Sequence, residues 1–266
     1  MKKILTLILA LSLLLSSALA LVGCAKKDEN TLVCGVTVIP GLNEQDADGN
    51  WIGFESEFAM AVGEILGMDV EFKKIDWKQK YNELNSGAID CVWNGFTANS
   101  SDDGMNRSDL VDFSYGYMLN QQCIVVKKSD LANYTSAADL SGKKAAVESG
   151  SAGAAYASSV TDDKNITKRP TQIDTFTFLN SGAVDFLVVD IVLANNLCGK
   201  GSYSNLAIVP SIQLESEIYA VGFKKGSDLT AKVNAAIETL FENGKLMEIA
   251  KKYGFENVLQ LTKEID

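Results

Sequence analysis

The sequence predicts an α/β protein made of two similar Rossmann-like lobes joined by two crossing strands. The first observation is a repeat: residues 84–90 are LNSGAID and residues 179–185 are LNSGAVD, so six of the seven positions are identical. The second is the apolar run after each copy, which indicates a helix, a glycine turn and a strand buried on both faces. The third is a polar residue at the end of each run, Asn94 and Asp190. Because open α/β sheets place ligands at the carboxyl ends of their strands, we expect these ends to face a shared cleft.

The first lobe alternates between strands and helices. Apolar spacing predicts a strand at 32–38, a helix at 55–66 and a strand at 69–75. Asp76 can cap the helix that leads to the first repeat. This order is the βαβ rhythm of a parallel sheet, and residues 97–110 follow it as a polar loop.

The second lobe has the same rhythm. Its strands are expected at 122–127, 145–147 and 184–189, and its helices at 154–158 and 191–197. The second repeat lies between the last two strands. The same element order therefore surrounds both copies of the repeat.

An alternating segment at 217–223 is expected to return the chain to the first lobe, where two final helices follow Ser227. The crossings would lie near Asn120 and Glu217, and a pair of crossings permits a hinge. The expected boundaries are 31–118 and 219–266 for the first lobe and 119–218 for the second.

The amino-terminal segment predicts export. Residues 1–23 have two lysines and then an almost wholly apolar stretch, as in a signal peptide. The tetrapeptide LVGC at 21–24 resembles the lipobox of bacterial lipoproteins, which implies cleavage before Cys24 and lipid attachment to it. Residues 24–30 would then form a polar anchor linker, and two kinds of lipid attachment would make the anchoring firm. A retained transmembrane helix is the alternative, since the apolar stretch approaches the roughly 20 residues that span a bilayer.

Composition excludes several classes of function. Loss of residues 1–23 takes the net charge from −10 to −12, which argues against binding nucleic acid or anionic lipid through the body of the protein. The chain has no histidine, so Ser-His and Cys-His catalysis and the usual zinc hydrolase sites are excluded. Cys34, Cys91, Cys123 and Cys198 fit no metal motif, and we expect neither a metal nor a cofactor. Buried thiols are the simpler interpretation of Cys34 and Cys91, with a disulfide between them left open.

A set of motifs spread over residues 31–255 resembles the substrate-binding proteins of polar amino-acid ABC transporters, the extracellular solute-binding protein family 3. No single motif is specific, but their order and spacing are. The motifs are GFESEF at 53–58, NGFT at 94–97, Arg107 followed by DFS at 112–114, LSGKK at 140–144, GSA at 150–152, VVD at 188–190 and EIY at 217–219. The resemblance implies the type II periplasmic-binding fold, with a site for a free amino acid between the lobes.

The resemblance assigns the two poles of the amino acid to opposite lobes. Arg107 and Thr97 would bind the α-carboxylate, because a guanidinium offers two parallel donors and keeps its charge. Ser151 and the Ala152 amide would add the N–H groups of a helix start, which favour an anion. Asp190 would bind the α-ammonium together with the Gly95 carbonyl. A capping role for Asp190 on the following helix is the alternative.

The pocket for the ligand side chain is less defined by the resemblance. Phe96 is the first candidate wall, followed by Trp77, Ile39, Leu42 and Tyr115, and Glu148 lies near the expected site. This chain departs from the family pattern at two places that affect the side-chain half of the site. Many family members have an aspartate where this chain has Thr37, and the loop before Arg107 is longer than usual.

The leading hypothesis is a lipid-anchored extracytoplasmic protein that captures an amino acid and delivers it to an ABC permease without catalysis. One rival is a dehydratase-like enzyme on the same fold, for which Glu148 is the acid/base candidate. Another is a receptor or adhesin that binds a ligand without transport. Turnover of a carboxylate substrate would support the enzyme. The absence of a permease gene next to the gene of this protein would support the receptor or adhesin.

Overall fold

The computed structural model of the protein describes residues 30–102 and 104–265. The predicted signal segment and Cys24 lie outside the described residues. The strands are β1 (Thr31–Val36), β2 (Glu44–Gln45), β3 (Trp51–Ile52), β4 (Asp69–Lys74), β5 (Cys91–Val92), β6 (Ser101–Asp102), β7 (Met105–Asn106), β8 (Asp112–Phe113), β9 (Gly116–Lys127), β10 (Ala145–Glu148), β11 (Ile166–Arg169), β12 (Phe186–Asp190), β13 (Leu206–Ile208), β14 (Ser216–Tyr219), β15 (Gly222–Phe223) and β16 (Leu259–Thr262). The α-helices are α1 (Phe54–Leu66), α2 (Lys80–Ser86), α3 (Arg107–Leu110), α4 (Ala152–Val160), α5 (Gln172–Ser181), α6 (Ile191–Leu197), α7 (Leu229–Glu242) and α8 (Lys245–Tyr253).

The sheet of the first lobe has the strand order β4-β1-β5-β15-β8. β1 and β5 are parallel, whereas β15 is antiparallel to both β5 and β8. Along β1, Leu32 and Cys34 belong to the core cluster that contains Phe58 of α1, and Val33 belongs to a second cluster that contains Leu84 of α2. Successive side chains of a strand point to opposite faces. Helices therefore cover both faces of this sheet, as expected for parallel strands.

The sheet of the second lobe has the order β11-β10-β12-β9-β13, with β10 parallel to β11 and β12. Leu187 and Val189 of β12 pack in the cluster that contains Phe176 of α5. Phe186 and Val188 pack on the other side, in the cluster that contains residues of α4. The apolar run after the second repeat is thus a strand buried on both faces, as predicted.

Two strands connect the lobes, and they lie side by side. β9 is 12 residues long; its first half pairs with β14 and its second half with β12 and β13. Asn120 and Glu217 are direct partners in the antiparallel ladder between β9 and β14. The α/β fold with two crossing strands is therefore confirmed, although β9 begins at Gly116, before the predicted start of the strand.

The repeat has the same local structure in both lobes. α2 ends at Gly87 with φ 73°, and α5 ends at Gly182 with φ 79°. A left-handed residue at this position closes a helix by bonding its last carbonyls, and glycine adopts it at little cost. The shared NSG sequence therefore encodes the same helix end twice.

The segment between the repeat and β9 is more ordered than the predicted loop. β6 and β7 form a short antiparallel hairpin, which leads directly into the single turn of α3. Arg107 is the first residue of α3. In this long loop, Arg107 is therefore positioned directly after a hairpin.

Cys34 and Cys91 are Cα partners in neighbouring parallel strands. The Cys91 Sγ donates to the Cys34 Sγ at 3.6 Å. This is contact between two thiols, since a disulfide needs about 2 Å.

Among the described helices, none has the length and apolar character to cross a bilayer.

Candidate functional site

A narrow cavity of about 10 Å³ lies where the ends of strands from both lobes meet. This is about the volume that one water molecule needs, so the walls of the two lobes are close together around it. Its lining from the first lobe is Trp77, Asn94, Gly95, Thr97 and Arg107; from β9, Gln122; and from the second lobe, Glu148, Ser151, Ala152, Gln172 and Asp190.

Arg107 supplies a buried positive charge to this cavity, since only 1% of the residue is exposed. Its Nε and Nη2 donate to Asp102 Oδ1 at 3.1 and 2.9 Å, and its Nη1 donates to the Thr97 carbonyl at 3.0 Å. The guanidinium also stacks over the Phe96 ring at 5.1 Å. A guanidinium has five N–H donors. One donor therefore remains on each Nη, and two such donors match a carboxylate.

Asp102 anchors the positive groups of the first lobe. Its other oxygen contacts Lys80 Nζ at 3.0 Å and accepts from the Tyr81 hydroxyl at 2.6 Å. Burial on its own would raise the pKa of Asp102, but Arg107 and Lys80 outweigh burial and lower that pKa below its usual value. Asp102 is therefore ionised and holds the Arg107 guanidinium in place.

Asp190 supplies the negative charge of the second lobe, at the end of β12 and the start of α6. Its carboxylate accepts from three side-chain amides, those of Asn120 (2.9 Å), Gln122 and Gln172. Burial raises the pKa of Asp190 in spite of these bonds. An ionised carboxylate has about four acceptor positions, so one remains on Oδ2, the oxygen bonded to Gln172.

Glu217 of β14 shares two of these amides with Asp190. Its Oε2 accepts from Asn120 at 2.6 Å and Gln122 at 3.0 Å, and from the Thr97 hydroxyl at 3.2 Å. Burial, and then the negative charge of Asp190, raise the pKa of Glu217 to about 7. The Thr97 hydroxyl is thus bonded to a carboxylate of the crossing strand.

The start of α4 forms the next part of the cavity. Ser151 is its N-cap; its hydroxyl accepts from the Ala154 amide at 3.1 Å and donates to the Glu148 carbonyl at 2.9 Å. The Ala152 N–H belongs to the first turn of α4, where amides have no partner within the helix. Gly153 lets this turn approach β12, since a Cβ there would lie 2.6 Å from the Val188 carbonyl oxygen.

Glu148 ends β10 beside Asp190 and is 3% exposed. Its Oε1 has no hydrogen-bond partner among the described residues. Burial, and then the charge of Asp190, raise the pKa of Glu148 well above its usual value. The cavity therefore contains a buried carboxyl group with one oxygen that lacks a donor among the described residues, although hydrogen bonding to Gln172 and the charge of Lys80 act to lower its pKa.

Most of the expected site residues line this one cavity. Those that do are Gly95, Thr97, Arg107, Ser151, Ala152, Asp190, Trp77 and Glu148. Four others do not line it. Phe96 packs against Trp77 and Phe113 in the first-lobe core, Ile39 and Leu42 belong to the main core cluster, and Tyr115 lines a separate cavity beside Asn234. From this position in the core, the Phe96 ring lies against the Arg107 guanidinium at 5.1 Å.

Several polar residues of the site have no counterpart in the sequence-based expectations. Lys80 is 1% exposed, and its Nζ donates across the cleft to the Gly150 carbonyl at 3.1 Å. Burial, and then Arg107, lower its pKa to about 8. On another side of the cleft, Asn196 donates to the Pro40 carbonyl at 2.9 Å. The lobes are therefore in contact around the cavity.

A partial signal for these residues exists in the sequence. Trp77 and Tyr81 flank Lys80 in the chain, and their rings lie 5.0 and 4.5 Å from its Nζ. Asn120 and Gln122 are two residues apart on one strand, which places them on the same face. No cluster of metal-ligating side chains was found among residues 30–102 and 104–265.

Residues 32–257 match the sequence model of the bacterial extracellular solute-binding proteins, family 3. The chain belongs to this family. The resemblance inferred from the motifs is therefore confirmed over nearly all of the described residues.

Two curated relatives of this solute-binding protein are named for amino acids. It is 26% identical to the arginine-binding extracellular protein ArtP of Bacillus subtilis over 236 residues, 86% of this chain and 88% of ArtP. It is 29% identical to the L-cystine-binding protein TcyJ of Escherichia coli over 229 residues, 85% of this chain and 84% of TcyJ.

A solved structure supports the same fold. An ABC uptake transporter substrate binding protein from Streptococcus pneumoniae with bound histidine superposes with a TM-score of 0.76 at 31% identity, covering 87% of this chain and 95% of the other. The type II periplasmic-binding fold that the motifs predicted is confirmed.

Proposed function

We propose that this solute-binding protein captures a free amino acid in the cavity between its lobes. The observation that carries the proposal is the placement of two buried opposite charges on opposite walls. The remaining donors of Arg107 suit an α-carboxylate, with the Ala152 amide as a further donor. Asp190 suits the α-ammonium, with the Gly95 carbonyl as a second acceptor. The names of the curated relatives favour an amino acid over other zwitterions.

Charge pairs at both ends of the ligand would favour the closed arrangement of the lobes. A ligand shifts an equilibrium only by its differential affinity for the two states. Contacts that require both walls exist only when the cleft is closed, so the ligand stabilises the closed arrangement. The closed form is then the state that an ABC permease would bind, and the ligand would be delivered unchanged, without turnover.

Titration calorimetry with a panel of the twenty amino acids plus cystine tests this proposal. We expect at least one to bind, and Arg107→Met to cost about 2–5 kcal/mol, weakening Kd at least roughly thirtyfold. Arg169→Met is the matched control, because Arg169 is the other arginine of the chain and stacks on Phe178 at 4.7 Å, outside the cavity. Equal affinities of the two variants would refute the role of Arg107. Release of a chemically altered ligand, detected by mass spectrometry, would favour the enzyme instead.

We also propose that lipid on Cys24 anchors the protein to the extracytoplasmic face of the membrane. The lipobox-like LVGC sequence supports this, and the anchor would hold the captured ligand near a permease. Fractionation of producing cells is the test. We expect the protein in the membrane fraction, with the added mass of lipid on Cys24, and its Cys24→Ala variant to lose the lipid; a mature amino-terminal peptide with the mass of unmodified Cys24 would contradict lipidation.

A further inference from the structure

We propose that Glu148 makes the site selective for amino acids whose side chain carries a positive charge. This rests on the proposed function, since it presumes that Arg107 and Asp190 hold the ligand's backbone groups. In this arrangement the ligand side chain donates a hydrogen bond to Glu148 Oε1. Glu148 is then a specificity-determining residue, separate from the groups that bind the zwitterion.

Glu148 has a carboxyl oxygen, Oε1, without a hydrogen-bond donor in the part of the chain that the structure describes. Glu148 lines the cavity, is 3% exposed, and its Oε1 lacks a hydrogen-bond partner among the described residues. A buried polar atom without a partner carries a desolvation cost that a ligand donor would offset. Of the buried atoms with this defect, Glu148 Oε1 belongs to an ionisable side chain that lines the cavity.

The nearby protein cations are already engaged. Lys80 Nζ contacts Asp102 at 3.0 Å and the Gly150 carbonyl at 3.1 Å. Arg107 is bonded to Asp102 and to the Thr97 carbonyl, and its two remaining donors are assigned to the α-carboxylate. No ion pair of Glu148 occurs within the described part of the chain. The charge of Lys80 acts on Glu148 without a direct ion pair, so the donor that Glu148 Oε1 lacks is left for the ligand to supply.

The balance of charge around the cavity points the same way. The carboxyl groups of Asp102, Glu148, Asp190 and Glu217 outnumber the two cations, Lys80 and Arg107. Because burial raises the pKa of Glu148 and Glu217, protons offset part of this excess when the cavity is empty, and a neutral amino acid leaves them in place. A cationic side chain can replace such a proton, and buried charges are tolerated when they are paired.

Binding of a cationic side chain also has a proton signature. Burial and the charge of Asp190 raise the pKa of Glu148 and so favour a proton on its carboxyl group when the cavity is empty. A cation beside a carboxyl group favours the ionised form, so binding of lysine or arginine releases that proton. A neutral ligand has no such effect on Glu148.

Two pairs of amino acids of similar shape provide the test. Calorimetry compares arginine with citrulline and lysine with norleucine, each in two buffers of different ionisation enthalpy, on the full protein. We expect arginine or lysine to bind roughly 10- to 100-fold more tightly than its neutral counterpart, with proton release. In Glu148→Gln this preference disappears while the neutral amino acids keep their affinity. Glu71→Gln removes the same charge from an exposed position of β4 and leaves the preference intact.

The outcomes separate this inference from the proposed function. If no amino acid binds, the proposed function fails. If amino acids bind but the neutral members match the cationic ones, or the preference survives Glu148→Gln, the inference fails alone. Equal weakening of all four ligands would assign Glu148 to the α-ammonium and also overturn it. Glu148→Met is measured in parallel with melting curves of both variants, and a preference retained in either folded variant has the same meaning.

Discussion

The two walls of the cavity hold their charged groups by opposite means. In the first lobe, the cation Arg107 is held by an anion, Asp102, which Lys80 also contacts. In the second lobe, the anion Asp190 is held by neutral amides, and Glu148 Oε1 has no donor among the residues that the structure describes. The first wall is thus compensated within the protein, and the second is not.

The pKa directions follow from this difference. Asp102 is buried, yet its cationic neighbours lower its pKa. Burial instead raises the pKa of Asp190, Glu148 and Glu217, because amides stabilise a carboxylate less than a cation does. The acidic wall is therefore the side of the site that gains most from a cationic group of the ligand.

The largest expected effect is that of Asp190→Asn on binding. The substitution removes the charge that would pair with the α-ammonium, and loss of one partner from a buried pair costs about 3 kcal/mol, or roughly a hundredfold in Kd. Calorimetry measures this cost. The melting temperature of the ligand-free variant should not fall comparably, because burial of the Asp190 charge is itself unfavourable.

Asp69→Asn provides the control for Asp190→Asn, since Asp69 is an exposed residue of β4. It should bind as the wild type does. Retained affinity in Asp190→Asn, or equal losses in both variants, would remove Asp190 from the site and with it the contrast between the walls.

The next effect is expected on the pH dependence of stability, with opposite signs for the two walls. Because the pKa of Glu217 is raised, its contribution to the free energy of unfolding is fully present below 4.5, its pKa in the unfolded chain. That contribution is lost as pH rises through about 7. The lowered pKa of Asp102 means that its contribution is present above its unfolded value of 3.8 and is lost as pH falls through its folded pKa. The shift of the Glu217 pKa from 4.5 to about 7 corresponds to on the order of 3 kcal/mol, several degrees in Tm.

Melting curves of the ligand-free protein between about pH 3 and about pH 9 separate these contributions. Glu217→Gln should reduce the fall in melting temperature toward neutral pH and leave the melting temperatures at acid pH unchanged. Asp102→Asn should do the reverse. If one substitution altered both sides equally, the two walls would not be electrostatically distinct.

The sequence predicted the charged poles but not the residues that set their properties. Arg107 and Asp190 could be found because each follows a recognisable motif. Lys80, Gln122, Gln172 and Glu217 could not, since isolated polar residues in helices and strands usually face solvent. Their burial depends on pairing between segments far apart, such as Thr97 with Glu217, 120 residues away.

Phe96 shows the same limit from the other direction. The sequence makes it the first candidate for a ligand wall, and it lies between Gly95 and Thr97, both of which line the cavity, but it does not line the cavity itself. The backbone bends at Gly95, which has φ 55°, so the residues around it face different sides. The ring accordingly packs in the core with Trp77 and Phe113, and Trp77 takes the cavity wall.

By itself, the sequence determined the two-lobed α/β order, the matching helix ends at Gly87 and Gly182, and the strands buried on both faces. These features are local, since they depend on glycine conformation and apolar spacing over a few residues. The tertiary structure alone decided which polar groups meet and which hold a proton. Burial and partner charge set these properties, and both arise only when distant segments are packed together, as Lys80 is with Gly150, 70 residues away.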